Sequence, residues 1–185
     1  MGKIIDISFN VNKYVYQKPF HITNSISTDT YNVEVCVITD EGFKGYGEVA
    51  PSFRVNGETP EQIMALSKKA REMLLGENVR NYRKIFSTTQ KFISSPGLKA
   101  AVEFAVLDAF CNEIGTGVWE IFGGAKNEIE TDKTVSIGNT SERLKEAIDI
   151  YKNGFKTIKI KVGENINSDI DDVIEIYRKT RGARY

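Results

Sequence analysis

The sequence is poor in the residues that build histidine- and cysteine-based sites. Its 185 residues contain one histidine, His21, two cysteines and four prolines. A single histidine nearly excludes both a histidine-rich metal centre and a catalytic triad. Cys36 and Cys111 lie in apolar stretches, so we expect two reduced core thiols and a cytoplasmic protein.

The chain also lacks a net charge, because 25 Lys and Arg balance 25 Asp and Glu. A neutral chain has no electrostatic footprint for nucleic acid or for an anionic membrane surface. No apolar run is long enough to span a bilayer, and residues 1–6 do not have the shape of a signal peptide. We therefore expect neither nucleic acid nor a membrane as a partner.

Alternating apolar residues in the first third predict an antiparallel sheet. The expected inward positions are Ile5, Ile7, Phe9 and Val11 in one segment and Tyr31, Val33, Val35 and Val37 in the next. The run Asp40-Glu41-Gly42 predicts a turn, and residues 43–49 predict the return strand. Residues 3–49 thus predict a three-stranded meander, with a loop over residues 19–27 between its first two strands.

The middle third has helical periodicity. Thr59 and Gln62 predict a capped helix start, and Gly76 predicts the end of that helix. Further helices are predicted over residues 82–92 and from Pro96 onward. We expect the following residues to face inward: Ile63, Leu66, Ala70, Met73 and Leu74; Tyr82, Ile85, Phe86 and Phe92; and Leu98, Ala101, Val102, Ala105, Val106, Ala109 and Phe110.

The last third changes to a strand–helix–strand–helix order. Residues 133–137 and 155–162 predict strands, and a helical pattern follows each of them. Such βα units form open doubly wound sheets or closed barrels. A nucleotide-binding open sheet is disfavoured because no glycine-rich loop follows the first of these strands. We predict one domain over residues 1–127 and a second over residues 128–185.

The sharpest local feature is the pair Lys159 and Lys161. Residues two apart on a strand point to the same side, so the lysines share one face and Ile158, Ile160 and Val162 share the other. Neighbouring ammonium groups that lose hydration disfavour each other's charged form, which lowers a lysine pKa. A lysine with a lowered pKa can act as a base at neutral pH. An edge strand with two solvated lysines is the alternative interpretation, and the pattern alone does not separate the two.

Two further segments have structural interpretations that need no site. Residues 45–51 are interpreted as a glycine-containing strand that leads into a loop over residues 52–58, and their glycine spacing does not fit a phosphate loop. Thr134 is interpreted as a β-branched residue in the first strand of the βα region. Neither segment indicates a function by itself.

Acidic residues on the helices also have structural interpretations. Glu103 and Asp108 lie five apart and do not share a helix face, so we expect structural hydrogen bonds from both. Asp169, Asp171 and Asp172 suit the start of a helix, where carboxylates complement the dipole, and they lack the spacing of a calcium loop. We assign no metal ligand to this chain.

Several segments together resemble the muconate cycloisomerase-like branch of the enolase superfamily, and most closely its dipeptide epimerases. They occur in family order across essentially all 185 residues. The segments are Pro19-Phe20, GYGEVAP from Gly45 with the following VNGET, SPGLKAAVEFAVLDAFCNEIG, WEIFGG, TDKTVSIG and KIKVG. No single segment is specific, but the set is.

The resemblance implies a fold and a chemistry. The fold is an α+β capping domain, a three-stranded antiparallel meander plus helices, followed by the first two βα units of an incomplete (β/α) barrel. The full-length enzyme would bind Mg²⁺ through carboxylates at the ends of later barrel strands, and the metal would stabilise the enediolate formed from a small-molecule carboxylate or dipeptide. Those carboxylates and a second base would lie past Tyr185, so the chain alone is expected to be inactive. We also expect a homo-oligomer.

The resemblance further implies roles for single residues. Lys161, the second lysine of the pair, would be the base that removes or returns the α-proton, and Lys159 would support it electrostatically. Thr134 falls where the epimerases of this family place a substrate-contacting residue.

The two loops, residues 19–27 and 52–58, would close over the site and shape specificity. Epimerases that act on Ala-Glu dipeptides carry an arginine where this chain has Asn24 and Ser25, so the sequence does not support an acidic second residue on the substrate. The substrate-binding candidates in these loops are Asn24, Ser25, Arg54 and Val55.

Two other functions stay open on the sequence. A muconate cycloisomerase or an o-succinylbenzoate synthase-like enzyme would use the same scaffold. A non-catalytic assembly module belongs to a different class. Its βαβα segment would pair with another copy or with a separately encoded second half, and it requires an oligomer to cover its strand edges.

Overall fold

Two compact units make up the chain. In the computed structural model the described residues are 2–22, 25–124, 126, 128–163 and 165–185. The first unit comprises residues 1–15 and 29–125, and the second comprises residues 16–28 and 126–185. No helix in the described ranges has the length and apolar character needed to cross a membrane. The division into domains 1–127 and 128–185 stays a prediction about units that fold independently.

The predicted meander is present as a sheet with strand order β1–β2–β3. Its strands are β1 (Ile4–Ile22), β2 (Ser25–Thr39) and β3 (Lys44–Val49). β2 and β3 are antiparallel, with Val35 opposite Gly47. The turn between them is the predicted one, and Gly42 adopts there a φ of 84°, which glycine reaches without steric cost.

The predicted loop over residues 19–27 is wrong, because β1 continues to Ile22 and β2 begins at Ser25. No glycine occurs between positions 3 and 41, and the segment around Tyr14, Val15 and Tyr16 is rich in strand-forming side chains. Pro19 is tolerated because β1 lies at the edge of the sheet, where a missing N–H breaks no ladder.

The predicted inward face of β1 is also partly wrong. Ile4 and Ile7 are buried, whereas Ile5 and Val11 are 57% and 44% exposed. Burial of two residues three apart breaks the period of two, as at a β-bulge. Side chains contribute here, because Asp6 accepts the N–H of Ile7 at 2.9 Å and Arg71 donates to the carbonyl of Ile7.

Helices form the second layer of the first unit and confirm the predicted helices. They are α1 (Phe53–Asn56), α2 (Pro60–Leu74), a 3-10 turn (Val79–Asn81), α3 (Tyr82–Phe92), α4 (Pro96–Ile114) and α5 (Val118–Ile121). The predicted capping box of α2 is present, with Thr59 and Gln62 each bonded to the other's backbone N–H. Phe92 was predicted inward but is 55% exposed, and Ile93 is buried instead. α1 was not predicted.

Helix α4 crosses β3 at backbone contact distance. A Cβ atom at Gly47 would overlap the carbonyl oxygen of Ala101, and one at Gly45 would overlap the backbone of Ala105 and Ala109. Only glycine on the strand and small residues on the helix allow this approach. The glycines of GYGE therefore have a packing role.

Polar side chains of α4 bind the backbone of β3, the edge strand. Asp108 accepts the N–H of Tyr46 at 2.9 Å, and Asn112 donates to the carbonyl of Lys44 at 2.8 Å. Glu103 accepts from Thr89 at 2.6 Å, which ties α4 to α3. The structural hydrogen bonds predicted for Glu103 and Asp108 are confirmed.

The second unit has the predicted βαβα order. Its elements are β4 (Asp132–Val135), α6 (Thr140–Lys152), β5 (Thr157–Ile160) and α7 (Ile166–Lys179). β4 and β5 are parallel, and Arg184 makes a further parallel bridge to Thr157. The core contains Val135, Ala147, Ile150, Ile158 and Ile176. The predicted fold class, a capping domain followed by the first βα units of a barrel, is confirmed.

We predict that Gly47→Ala lowers the free energy of unfolding of the first unit by about 3 kcal/mol. The added methyl group would overlap the backbone of α4, which cannot move aside as a flexible side chain can. Urea unfolding followed by circular dichroism measures the change. Gly138→Ala is the control, since its backbone is not in the left-handed region and its Cβ would meet the nearest atom at 3.6 Å. Equal unfolding midpoints for the two variants would contradict the packing role.

Candidate functional site

Two of the predicted site residues, Thr134 and Lys159, come together on one face of the β4–β5 pair, and Lys161 follows directly after β5. Thr134 lies opposite Lys159 in the parallel register, so their side chains point to the same side. The N–H of Lys161 donates to the carbonyl of Val135 at 3.2 Å, which continues the ladder one residue past β5. Ile158 is buried on the other face, among the residues of the core.

Val162 was predicted to share the inward face of Ile158 and Ile160, but it is 56% exposed. The reason is that β5 ends at Ile160, so the alternation of the strand no longer holds at Val162. Ile160 does pack against the core of the second unit, as predicted. Within β5 the isoleucines and Lys159 therefore lie on opposite faces, as predicted. This alternation does not extend to Val162.

The pKa of the Lys161 amine is lowered. Burial is the larger cause, because it disfavours the charged ammonium, and the positive charge of Lys159 is the second. Lys159 itself is exposed on the strand. A lowered pKa makes the neutral amine of Lys161 more accessible, which is a property that a general base requires.

An open cleft of about 740 Å³ lies at the carboxyl end of β4. Thr134, Ser136 and Gly138 line one side of it, and residues of α6 line the other, including Arg143 and Glu146. Glu146 accepts the N–H of Ser136 at 3.2 Å and so fixes the end of β4. Thr134 thus borders space for a ligand, whereas Lys159 and Lys161 do not line this cleft.

Arg143 is a residue of the site region that the sequence did not indicate. It is only 4% exposed, and its guanidinium pairs with Asp169 at 2.9 Å and with Asp172 at 2.5 Å. The same side chain donates to the carbonyl of Lys161 at 2.8 Å. The sequence did contain a signal for this position, because Arg143, Ala147 and Ile150 follow the spacing of one helix face. In the structure all three residues are buried.

Asp169 extends this network to the turn after β5. Its second carboxylate oxygen accepts the N–H of Gly163 at 2.8 Å. That hydrogen bond is the first cause of a lowered pKa at Asp169, and the hydrogen bond and charge of Arg143 add to it. The aspartates predicted to suit a helix start thus also pair with a buried cation.

The remaining candidates do not join this group. Asn24 lies outside the described residues, and only the backbone of Ser25 is described, at the start of β2. Arg54 and Val55 lie on α1 in the first unit, and Val55 is 86% exposed. Their roles in substrate binding stay predictions.

The segment that carries Arg54 and Val55 is anchored by Glu58. This glutamate is buried and accepts hydrogen bonds from the hydroxyl of Ser95 and, at 3.0 Å, from the N–H of Gly97. Both donors belong to the start of α4, so the carboxylate also complements the helix dipole. Glu58 of the VNGET segment therefore contacts Ser95 and Gly97 of the SPG segment.

The described residues do not form a magnesium site. None of their His, Cys, Asp and Glu side chains group in threes in a way that could hold a metal ion. Asp169 and Asp172 are paired with Arg143, so these two carboxylates make structural contacts.

A family profile matches most of the chain. Residues 6–123 match the N-terminal domain of the mandelate racemase/muconate lactonizing enzyme family. The chain therefore belongs to this family, which is part of the enolase superfamily, as the sequence motifs indicated.

Curated relatives are named epimerases. The L-Ala-D/L-Glu epimerase of Thermotoga maritima is 51% identical over 185 residues, which cover 100% of this chain and 54% of that protein. The L-Ala-D/L-Glu epimerase of Bacillus subtilis is 31% identical, with 98% of this chain and 50% of that protein covered. The chain thus spans about half the length of the curated relatives it matches.

Solved structures agree with this relationship. A substrate-liganded complex of the Bacillus subtilis L-Ala-D/L-Glu epimerase superposes with a TM-score of 0.92 at 30% identity, covering 98% of this chain and 52% of that one. A dipeptide epimerase from Enterococcus faecalis, complexed with Mg and the dipeptide L-Leu-L-Tyr, has a TM-score of 0.90 at 29% identity, covering 96% and 50%.

We predict that Lys159→Met raises the pKa of Lys161 but does not restore the ordinary lysine value. The substitution removes the second cause of the depression and leaves burial, the larger one. Reductive ¹³C-methylation followed by NMR titration measures the amine directly. Lys152→Met, which removes a lysine from the last turn of α6, is the control and should leave the titration unchanged. A Lys161 amine that titrates like the other lysines in the unmodified sequence would contradict the assignment.

Proposed function

We propose that this chain supplies the capping domain and one general base of an isomerase that removes and returns the proton next to a carboxylate, with a dipeptide as substrate. The observation that carries the proposal is Lys161, an amine with a lowered pKa beside Lys159 at the carboxyl end of a parallel strand. Barrel enzymes build their active sites at that end of their strands. The epimerase names of the relatives support the dipeptide.

The proton step requires the neutral amine of Lys161, and the lowered pKa of that amine favours this form. Nζ of Lys161 takes the α-proton as the C–H bond breaks, and the electron pair moves into the substrate carboxylate to form an enediolate. Reversal of the step returns the proton. Lys159 favours the neutral form of Lys161 and so keeps the base available.

A single base reaches only one face of the α-carbon, so inversion requires a second base on the opposite face. We assign no described residue to that role. A bound magnesium ion would polarise the substrate carboxylate, but the described residues offer no ligand group for it, and we assign it no step here. We therefore propose that the 185 residues alone do not epimerise a dipeptide.

A cytoplasmic location belongs to the same proposal. Cys36 and Cys111 are both free and buried, and neither has a disulfide partner. Reduced thiols are typical of the cytosol. A fold that keeps both thiols in its core needs no oxidising compartment.

We predict that a chimaera, in which this chain replaces the aligned half of the Thermotoga maritima epimerase, exchanges the α-proton of at least one dipeptide of a library in deuterated water with magnesium. A base on one face of the α-carbon serves only one epimer, so Lys161→Met should lower the exchange rate of one epimer of that dipeptide about 1000-fold. Mass spectrometry measures deuterium gain, and Lys156→Met is the matched control on the neighbouring segment.

Each contrary result has a separate meaning. Exchange from both epimers that survives Lys161→Met would remove Lys161 as the base. Exchange by the 185-residue chain alone would overturn its proposed inactivity. A chimaera that exchanges no dipeptide of a library, but converts a muconate or forms o-succinylbenzoate, would indicate a cycloisomerase or a synthase of the same scaffold.

A non-catalytic assembly module is the second candidate, and one observation favours it. Helix α7 exposes a row of apolar side chains, with Ile166 at 75%, Ile170 at 52%, Ile174 at 43% and Tyr177 at 58% exposure. The spacing of four, four and three places them on one side of the helix. Apolar rows of this kind on a surface mark contact sites, and the module interpretation assigns this one to a second copy of the chain.

If the module interpretation holds, the 185-residue chain sediments as an oligomer, and Ile170→Lys shifts it to a monomer because a charge cannot be buried in the contact. Analytical ultracentrifugation measures the mass. Ile5→Lys is the control, since Ile5 is similarly exposed but lies in the first unit. A monomer in the unmodified sequence would reject the module.

A further inference from the structure

The backbone around Lys161 is held at several points after β5 ends. Its N–H binds the carbonyl of Val135 at 3.2 Å, and its carbonyl accepts from Arg143 at 2.8 Å. Two residues later, the N–H of Gly163 donates to Asp169 at 2.8 Å. Both backbone polar groups of Lys161 are thus bound although the residue lies outside the strand.

The network that makes these contacts consists of buried charges. The side chains of Arg143, Asp169 and Asp172 are 5%, 10% and 3% exposed. Nε of Arg143 and Oδ1 of Asp172 are buried without a hydrogen-bond partner among the described residues. Charges buried in this way cost desolvation energy, and apolar residues of similar volume often give equal or greater stability. Stability alone is therefore a poor reason for this network.

Geometry is a better reason. The planar fork of arginine lets Nη1 serve two carboxylates while Nη2 reaches the carbonyl of Lys161. One side chain on α6 thus connects the start of α7 to the end of β5. A lysine would keep the charge but cannot reproduce three directed contacts.

We propose that Arg143 is the positioning residue for Lys161: with Asp169 it fixes the backbone where β5 ends, so that the amine stays on the face shared with Thr134 and Lys159. The use of that amine as a base rests on the proposed function. The fixation of the backbone does not, and each part has its own test.

The first test uses the 185-residue chain with Arg143→Lys. Hydrogen exchange at the amides of Lys161 and Gly163 should become at least about tenfold faster, because the contacts that restrain opening are lost. The Lys161 amine, followed by ¹³C-methyl NMR, should titrate closer to an ordinary lysine as its burial decreases. A through-space effect of the arginine charge predicts no such shift, since the charge is retained and Lys159 is unchanged.

Arg178→Lys is the matched control, because Arg178 is an exposed arginine on α7 whose only described ion pair, with Glu175, spans 3.5 Å. Should Arg143→Lys fail to fold, Asp169→Ala removes the acceptor of Gly163 and leaves the pair of Arg143 with Asp172. Unchanged amide exchange and an unchanged Lys161 titration in a folded variant of either kind overturn the proposal.

The second test uses the chimaera with the Thermotoga maritima epimerase. A base on one face of the α-carbon serves only one epimer, so Arg143→Lys should slow α-proton exchange from one epimer of the converted dipeptide at least about tenfold more than from the other. An equal loss for both epimers indicates a general structural effect and overturns the positioning role. A chimaera that exchanges no dipeptide rejects the proposed function, and the first test still decides the role of Arg143.

Discussion

The direct backbone contact between α4 and β3 is the constraint on which the first unit depends. Gly45 and Gly47 allow the helix to approach the strand, and the polar side chains of Asp108 and Asn112 then reach the exposed backbone of the same strand. The helix thus buries its apolar side and protects the edge strand at once. A side chain at either glycine would separate these layers, so the sequence run GYGE reflects packing and need not touch a substrate.

The second unit depends on a different kind of contact, between charges. Its apolar core holds β4 and β5 against α6 and α7, but the core residues end with the strands. Beyond that point Arg143 and its two aspartates hold the chain, and Lys161 lies there. The proposed base lies past the end of β5, where the ladder contributes one hydrogen bond, and Arg143 and Asp169 add a further restraint.

The sequence predicted elements well where periodicity and end signals agree. The capping box at Thr59 and the alternation of Val33, Val35 and Val37 in β2 are local features, and the structure confirms both. Tyr31 was predicted inward in the same strand, but it is 43% exposed. The loop over residues 19–27 was wrong because the pairing of two long strands prevails over a single proline at a sheet edge. The prediction of the inward face of β1 was wrong because the buried residues of this strand, Ile4 and Ile7, do not follow a period of two. Asp6 lies between them and binds Arg71, which is 65 positions away in the sequence.

The sequence by itself determined the family, the order of elements and the opposite faces of Ile158 and Lys159, because motifs and the two-residue period of a strand depend on neighbouring positions. Only the tertiary structure decided which lysine has the lowered pKa and what holds its backbone. The pKa of Lys161 depends on its burial, which only the folded chain provides. Its contact with Arg143 joins residues 18 positions apart, and no local sequence pattern encodes such a contact. Arg143 reaches the carbonyl of Lys161 because α6 packs against β5 in the folded unit.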